Sequence, residues 1–125
     1  MKSAVEVAVE LSKYYGYKLE RPVVYTQGVA LSGRLRLHEL RPDLPDPSAE
    51  IAGMVAEYAD DRAAIFSESD GTANFAGVCW ADELAPATGN DKYLDLLKFT
   101  ADLFGPTVDE GPLDPDIRVE DFFFA

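Results

Sequence analysis

Cysteine, histidine and tryptophan each occur once in this chain, as Cys79, His38 and Trp80. A single thiol rules out an internal disulfide, and the apolar neighbours of Cys79 predict a buried, inert group rather than a reactive one. No cluster with metal-ligand spacing, no glycine-rich phosphate loop and no nucleophile-base pair stands in the sequence, so no metal and no cofactor is expected. Cations are scarce as well: 11 Lys and Arg stand against 23 Asp and Glu, a formal charge of −12. A surface with that excess repels phosphate backbones and anionic lipid, which excludes nucleic acid and membrane surfaces as natural partners. Anionic substrates remain open, because Lys18, Arg34, Arg36 and Arg41 fall together in the first third of the chain and can form a local positive site. No apolar run approaches the roughly 18 residues of a membrane span. Glu6 and Glu10 interrupt the segment after Lys2, which argues against a secretory signal and for a cytoplasmic protein, unless a further segment lies upstream.

What is present is helical patterning. The chain has 125 residues, of which 47% are hydrophobic, the size of one domain able to bury a core. Ala4 to Tyr15 carries two patterns: Val5, Val7, Val9 and Leu11 alternate as a strand would, whereas Ala4, Ala8, Leu11 and Tyr15 form a helical stripe. We read it as a helix stopped by Gly16. Arg21-Pro22 then breaks the chain, since the residue before proline avoids the helical region. Thr26 to Leu40 is apolar on much of its circumference and reads as a helix buried on a broad face. After the loop Arg41 to Pro45, Asp46-Pro47 reads as a cap followed by a proline at the first helical position. Ile51, Met54, Val55, Tyr58 and Ala59 recur at the helical period. A polar turn over Ser67 to Thr72 precedes a helix carrying Phe75, Val78, Cys79 and Leu84, expected to end at Pro86 and Gly89. Asn90 caps the next one, with Tyr93, Leu96, Leu97, Thr100, Leu103 and Phe104 on one face and Gly105-Pro106 as its stop. The class expected is all-α.

Two helix openings resemble each other: Gly28-Val29-Ala30-Leu31 and Gly77-Val78-Cys79-Trp80, 49 residues apart. Each is followed by a turn and a second amphipathic helix, so the spacing amounts to one helical hairpin per repeat. A hairpin of this length cannot bury its apolar stripe alone, and a stack or ring of hairpins is expected. A third copy begins near Val119-Glu120-Asp121-Phe122-Phe123-Phe124. Three consecutive phenylalanines each bury a large area when packed and fray when left at an end. The expectation is therefore one incomplete domain over residues 1–125, the N-terminal portion of a longer protein, with the alternative that the aromatics plug the end of a small helical array.

Tyr25-Thr26-Gln27-Gly28-Val29-Ala30-Leu31-Ser32-Gly33, Leu35 to Leu40, Thr88-Gly89-Asn90-Asp91-Lys92-Tyr93-Leu94 and Val119-Glu120-Asp121-Phe122-Phe123 together resemble the six-hairpin glycosidases of glycoside hydrolase families 88 and 105. These are unsaturated glucuronyl and rhamnogalacturonyl hydrolases, and the resemblance runs from about Tyr15 to the end. It implies the first part of an (α/α)6 barrel and an oligosaccharide substrate. It also implies a reaction in which a carboxylic acid protonates the vinyl ether of a terminal unsaturated uronic acid. Water then adds to the adjacent carbon, and the resulting hemiketal falls apart, unlike the two-carboxylate attack at an anomeric centre.

Carried over residue by residue, the family's acid falls on Glu120, or on Asp121 one position later. A carboxyl held against Phe122 to Phe124 loses hydration, its pKa rises, and it can stay protonated near neutrality as a general acid. Either acid also suits a helix N-terminus electrostatically. The family's second aspartate has no counterpart in register. Asp70 is the carboxylate closest to it, in a pair with Gly71 that also makes a common turn, and Asn74 stands where a hydrogen bond to substrate hydroxyls is retained without charge. No histidine lies between Thr107 and Arg118, where family members carry one, and His38 reads as a structural residue. Tyr25, just before a helix start, resembles a substrate-contacting aromatic at the barrel mouth. Trp80 either stacks on a sugar face or packs in the core. Two further readings stand beside the hydrolase: a non-catalytic helical-repeat module whose aromatics serve packing, and a toroidal sugar epimerase, which calls for inner-face histidines that this segment lacks.

Overall fold

The computed structural model describes residues 1–20, 25–61 and 77–102, and among these all regular secondary structure is helical. The helices are α1 (Ala4–Leu11), α2 (Tyr25–Leu40), α3 (Ser48–Asp60), α4 (Trp80–Thr88) and α5 (Lys92–Asp102). None of them is long and apolar enough to cross a membrane.

In α1 the helical stripe prevails over strand alternation because the first turn is capped from both sides. The Ser3 hydroxyl accepts from the Glu6 amide at 3.2 Å, and the Glu6 carboxylate accepts from the Ser3 amide at 2.7 Å. The helix ends at Leu11, short of the expected Tyr15, as Lys13 and Tyr14 donate to the carbonyls of Glu10 and Leu11 in tight turns. Gly16 then turns the chain at φ +89, a conformation L side chains avoid, and a β-carbon there would lie 2.8 Å from the Ala30 carbonyl oxygen.

The start of α3 is held by Asp46, whose carboxylate accepts from the Ser48 amide at 2.9 Å and from the Ser48 hydroxyl. Ile51, Val55 and Tyr58 are buried, and the Tyr58 hydroxyl donates to the Leu19 carbonyl at 3.0 Å, tying α3 to the segment ahead of α2. Helix α4 begins at Trp80 and runs through Pro86 to Thr88, where the sequence suggests that Pro86 ends it. The proline removes one backbone donor, but its ring is exposed, Leu84 and Ala85 beside it are buried, and the Gly89 amide still reaches the Ala85 carbonyl at 2.8 Å. Packing on both sides outweighs the missing bond, and Gly89 at φ +68 makes the stop. Asn90 opens α5, its side-chain oxygen accepting from the Lys92 amide at 3.1 Å.

The core gathers Leu31 and Leu35 from α2, Ile51, Val55 and Tyr58 from α3, Trp80, Ala81 and Leu84 from α4, and Tyr93 and Leu96 from α5. Helix α4 is the hub, packing against α2, α3 and α5, while α3 also touches α5 and α1 rests on α2. Helix α2 thus lies beside α4, and α3 and α5 both pack on α4 and touch each other. Gly28 and Gly77 set the first of these contacts. A β-carbon on Gly28 would lie 2.2 Å from the Gly77 carbonyl oxygen, so the two backbones touch where no side chain fits.

Candidate functional site

Helix α2 has two faces. Gly28, Leu31, Ser32 and Leu35 are buried, whereas Tyr25, Val29, Arg36 and Leu40, recurring at four, seven and four residues, are exposed. At the lower end of the exposed face, α2 and α4 enclose an open cleft of about 520 Å³ lined by Arg36, Glu39, Leu40, Asp82, Glu83 and Pro86. Its walls mix one guanidinium, three carboxylates and two apolar surfaces.

Arg36 and Glu83 form the polar centre of this cleft. The Arg36 side chain is 67% exposed and the Glu83 side chain 7%. The Arg36 Nε–H donates to Glu83 Oε1, and this bond, ahead of the charge attraction itself, raises the guanidinium above its already high pKa. Glu83 Oε2 is buried and has no hydrogen-bond partner among the described residues. Sequence reasoning passed over Glu83. The signal was a carboxylate one turn from Trp80 and next to Leu84, on a stripe that otherwise reads as core.

The cations do not pool into a common positive site. Arg34 is 11% exposed and gives two bonds to Glu50, at 2.7 and 3.3 Å, and one to the Gly16 carbonyl at 2.6 Å, while its guanidinium lies 4.1 Å from the Tyr17 ring centroid. Arg41 forks onto Asp43 at 2.8 and 2.7 Å, and Lys18 lies 3.5 Å from Glu20. Each of Lys18, Arg34, Arg36 and Arg41 thus has its own carboxylate.

Of the residues singled out from sequence, Tyr25 is the first residue of α2 and 45% exposed, so its ring is open to a ligand. Trp80 is the first residue of α4 and 0% exposed. Its ring meets Tyr93 edge-on at 6.3 Å, so it packs in the core and presents no face to a sugar. Its indole Nε1 is buried without a partner among the described residues. Asp70, Asn74, Glu120 and Asp121 lie outside the described residues. His38 is half-buried with its Nε2 at 3.9 Å from Asp46. Burial, with the neighbouring Glu83 charge, pushes the Cys79 thiol pKa up against the opposing hydrogen bond with Ser32, which disfavours thiolate at neutral pH. Among the described residues no group of three His, Cys, Asp or Glu is placed to hold a metal ion.

Two further concavities flank α2. One of about 290 Å³ lies beside Tyr17, Arg34, His38 and Glu50, and an apolar one of about 300 Å³ runs between α1 and α2 past Leu11, Tyr15, Val29 and Ala30. Comparison with protein-family models, with curated proteins and with solved structures gives no match to this chain.

Proposed function

We propose that this chain contributes the opening staves of an (α/α)6 toroid whose hollow binds unsaturated uronic-acid oligosaccharides and hydrates their 4,5-double bond. The observation that supports the reading is the contact between the two similar glycine-containing openings. Helices α2 and α4, each at or just after one of them, lie side by side through Gly28 and Gly77, and the helices that follow them, α3 and α5, both pack on α4. Consecutive hairpins stacked in this way bury their apolar stripes on one another, as an α/α ring requires.

In this reading Tyr25 stands at the mouth of the hollow, and Glu120 or Asp121 delivers a proton to the vinyl ether. Water adds to the neighbouring carbon, and the hemiketal opens to release the next sugar. The proton comes from the carboxyl and the hydroxyl from water, so no cofactor enters the balance. The product of the complete gene, incubated with unsaturated uronyl disaccharides, is expected to abolish the absorbance of the double bond, and Glu120→Gln or Asp121→Asn to stop it. A flat trace with the unsubstituted protein overturns the proposal.

One observation favours a second reading, a non-catalytic helical-repeat module in which aromatics serve packing: Trp80, Tyr58 and Tyr93 are all in the core. Under it the same protein binds a ligand on its exposed α2 face and leaves the double bond intact.

A further inference from the structure

We propose that the Arg36–Glu83 cleft is a subsite for a neutral, hydroxyl-rich sugar unit, whose hydroxyls accept hydrogen bonds from the guanidinium and donate them to the carboxylates around it. The inference rests on the saccharide reading of the chain but not on its catalytic acid.

Four features of the cleft select this ligand. Arg36 uses its Nε–H on Glu83, and its two Nη groups have no partner among the described residues, so a fork of donors faces open space on a side chain that is 67% exposed. Glu83 anchors that fork from within the protein. Its side chain is 7% exposed, and its Oε2 has no donor among the described residues. A hydroxyl both donates and accepts, so vicinal hydroxyls can accept from the free Nη donors and donate to the exposed carboxylates of Glu39 and Asp82 that line the cleft.

Charge then narrows the choice. With Glu39 and Asp82 at the rim, the cleft carries three carboxylates against one guanidinium. A carboxylate ligand meets that negative excess, and a cation must sit beside Arg36, whereas a neutral polyol meets neither penalty. Leu40 and Pro86 supply apolar wall for the C–H face of a pyranose, and about 520 Å³ lies within the usual range of ligand pockets.

The test is titration of the protein with methyl β-glucoside, sodium glucuronate and spermidine in parallel, followed by amide and Arg36 Nε–H shifts in nitrogen-15 spectra. The glucoside is expected to give saturable shifts confined to Arg36, Asp82, Glu83 and their neighbours. Glu83→Gln and Arg36→Lys are expected to weaken it about tenfold, with unchanged circular dichroism showing that both variants fold. Asp82→Asn, an exposed substitution, provides a second variant where either of these fails to fold. No localised shift with the glucoside, tighter binding of glucuronate or spermidine, or indifference to all three substitutions overturns the subsite. Glucoside binding here in a protein that leaves the double bond untouched sinks the hydration reading alone, and turnover with a silent cleft sinks the subsite alone.

Discussion

Gly28 and Gly77 touch: a β-carbon built on the first would stand 2.2 Å from the carbonyl oxygen of the second, and 2.7 Å from its carbonyl carbon. The obstructing atoms are backbone, which cannot rotate away as a side-chain tip can. Gly28→Ala is therefore expected to push α2 and α4 apart and to cost about 1–3 kcal/mol, the range for overpacking. Gly33, one and a half turns further along the same helix, has nothing within 4 Å of its added carbon. Gly33→Ala should instead stabilise by up to about 1 kcal/mol through helix propensity. Urea unfolding of the two variants gives the comparison, and equal losses at both positions would contradict it.

Trp80 is the sole tryptophan and is fully buried, so its emission reports the core directly. The native spectrum should be blue-shifted and unchanged by saccharides, and should move to the red on unfolding. Trp80→Ala should cost about 3–5 kcal/mol. A quench or shift of native emission by unsaturated disaccharides would show that the indole reaches ligand after all.

Cys79 offers a second probe of the same interface. Because burial raises its pKa and limits access, iodoacetamide at neutral pH should label it far more slowly in native protein than in urea. Labelling at the same rate in both states would place the thiol in solvent.

Acid should loosen the α2–α3 connection. The Ser48 hydroxyl, then its amide, holds the Asp46 carboxyl below its ordinary pKa of 3.8, and the Arg41 guanidinium does the same for Asp43. A folded-state pKa below the unfolded one means that the stabilisation is complete above the unfolded value and fades as pH falls through the folded one. The urea midpoint of the native chain should thus hold near neutrality and drop on acidification below about pH 4. Asp46→Asn should show a shallower drop, and an identical acid profile would remove Asp46 from the account.

The helices were largely legible in advance because their signals are local. The spacing of Ile51, Val55 and Tyr58, the acceptor at Asn90 and the stop at Gly89 act within one or two turns of chain, and each stands where the pattern puts it. The early end of α1 and the passage of α4 through Pro86 were not legible, since packing and hydrogen bonds around Gly16, Leu84 and Ala85 decided them. The candidate site divides the same way. Tyr25 opens α2, one residue ahead of the start that the sequence suggests, while Trp80 and the Arg36–Glu83 pair took their roles from which helix packs on which.

By itself the amino-acid order determined that the described residues form helices, the chain's acidity, and the roles of Asp46, Asn90 and Gly89 at helix ends, because propensity, periodicity and charge are summed over neighbouring residues. Only the tertiary structure decided that two glycines 49 positions apart form one contact, that the lone indole is core, and that a buried carboxylate on α4 aims an exposed arginine on α2. Those relations depend on the approach of distant backbones, and burial and pairing exist only after that approach has been made.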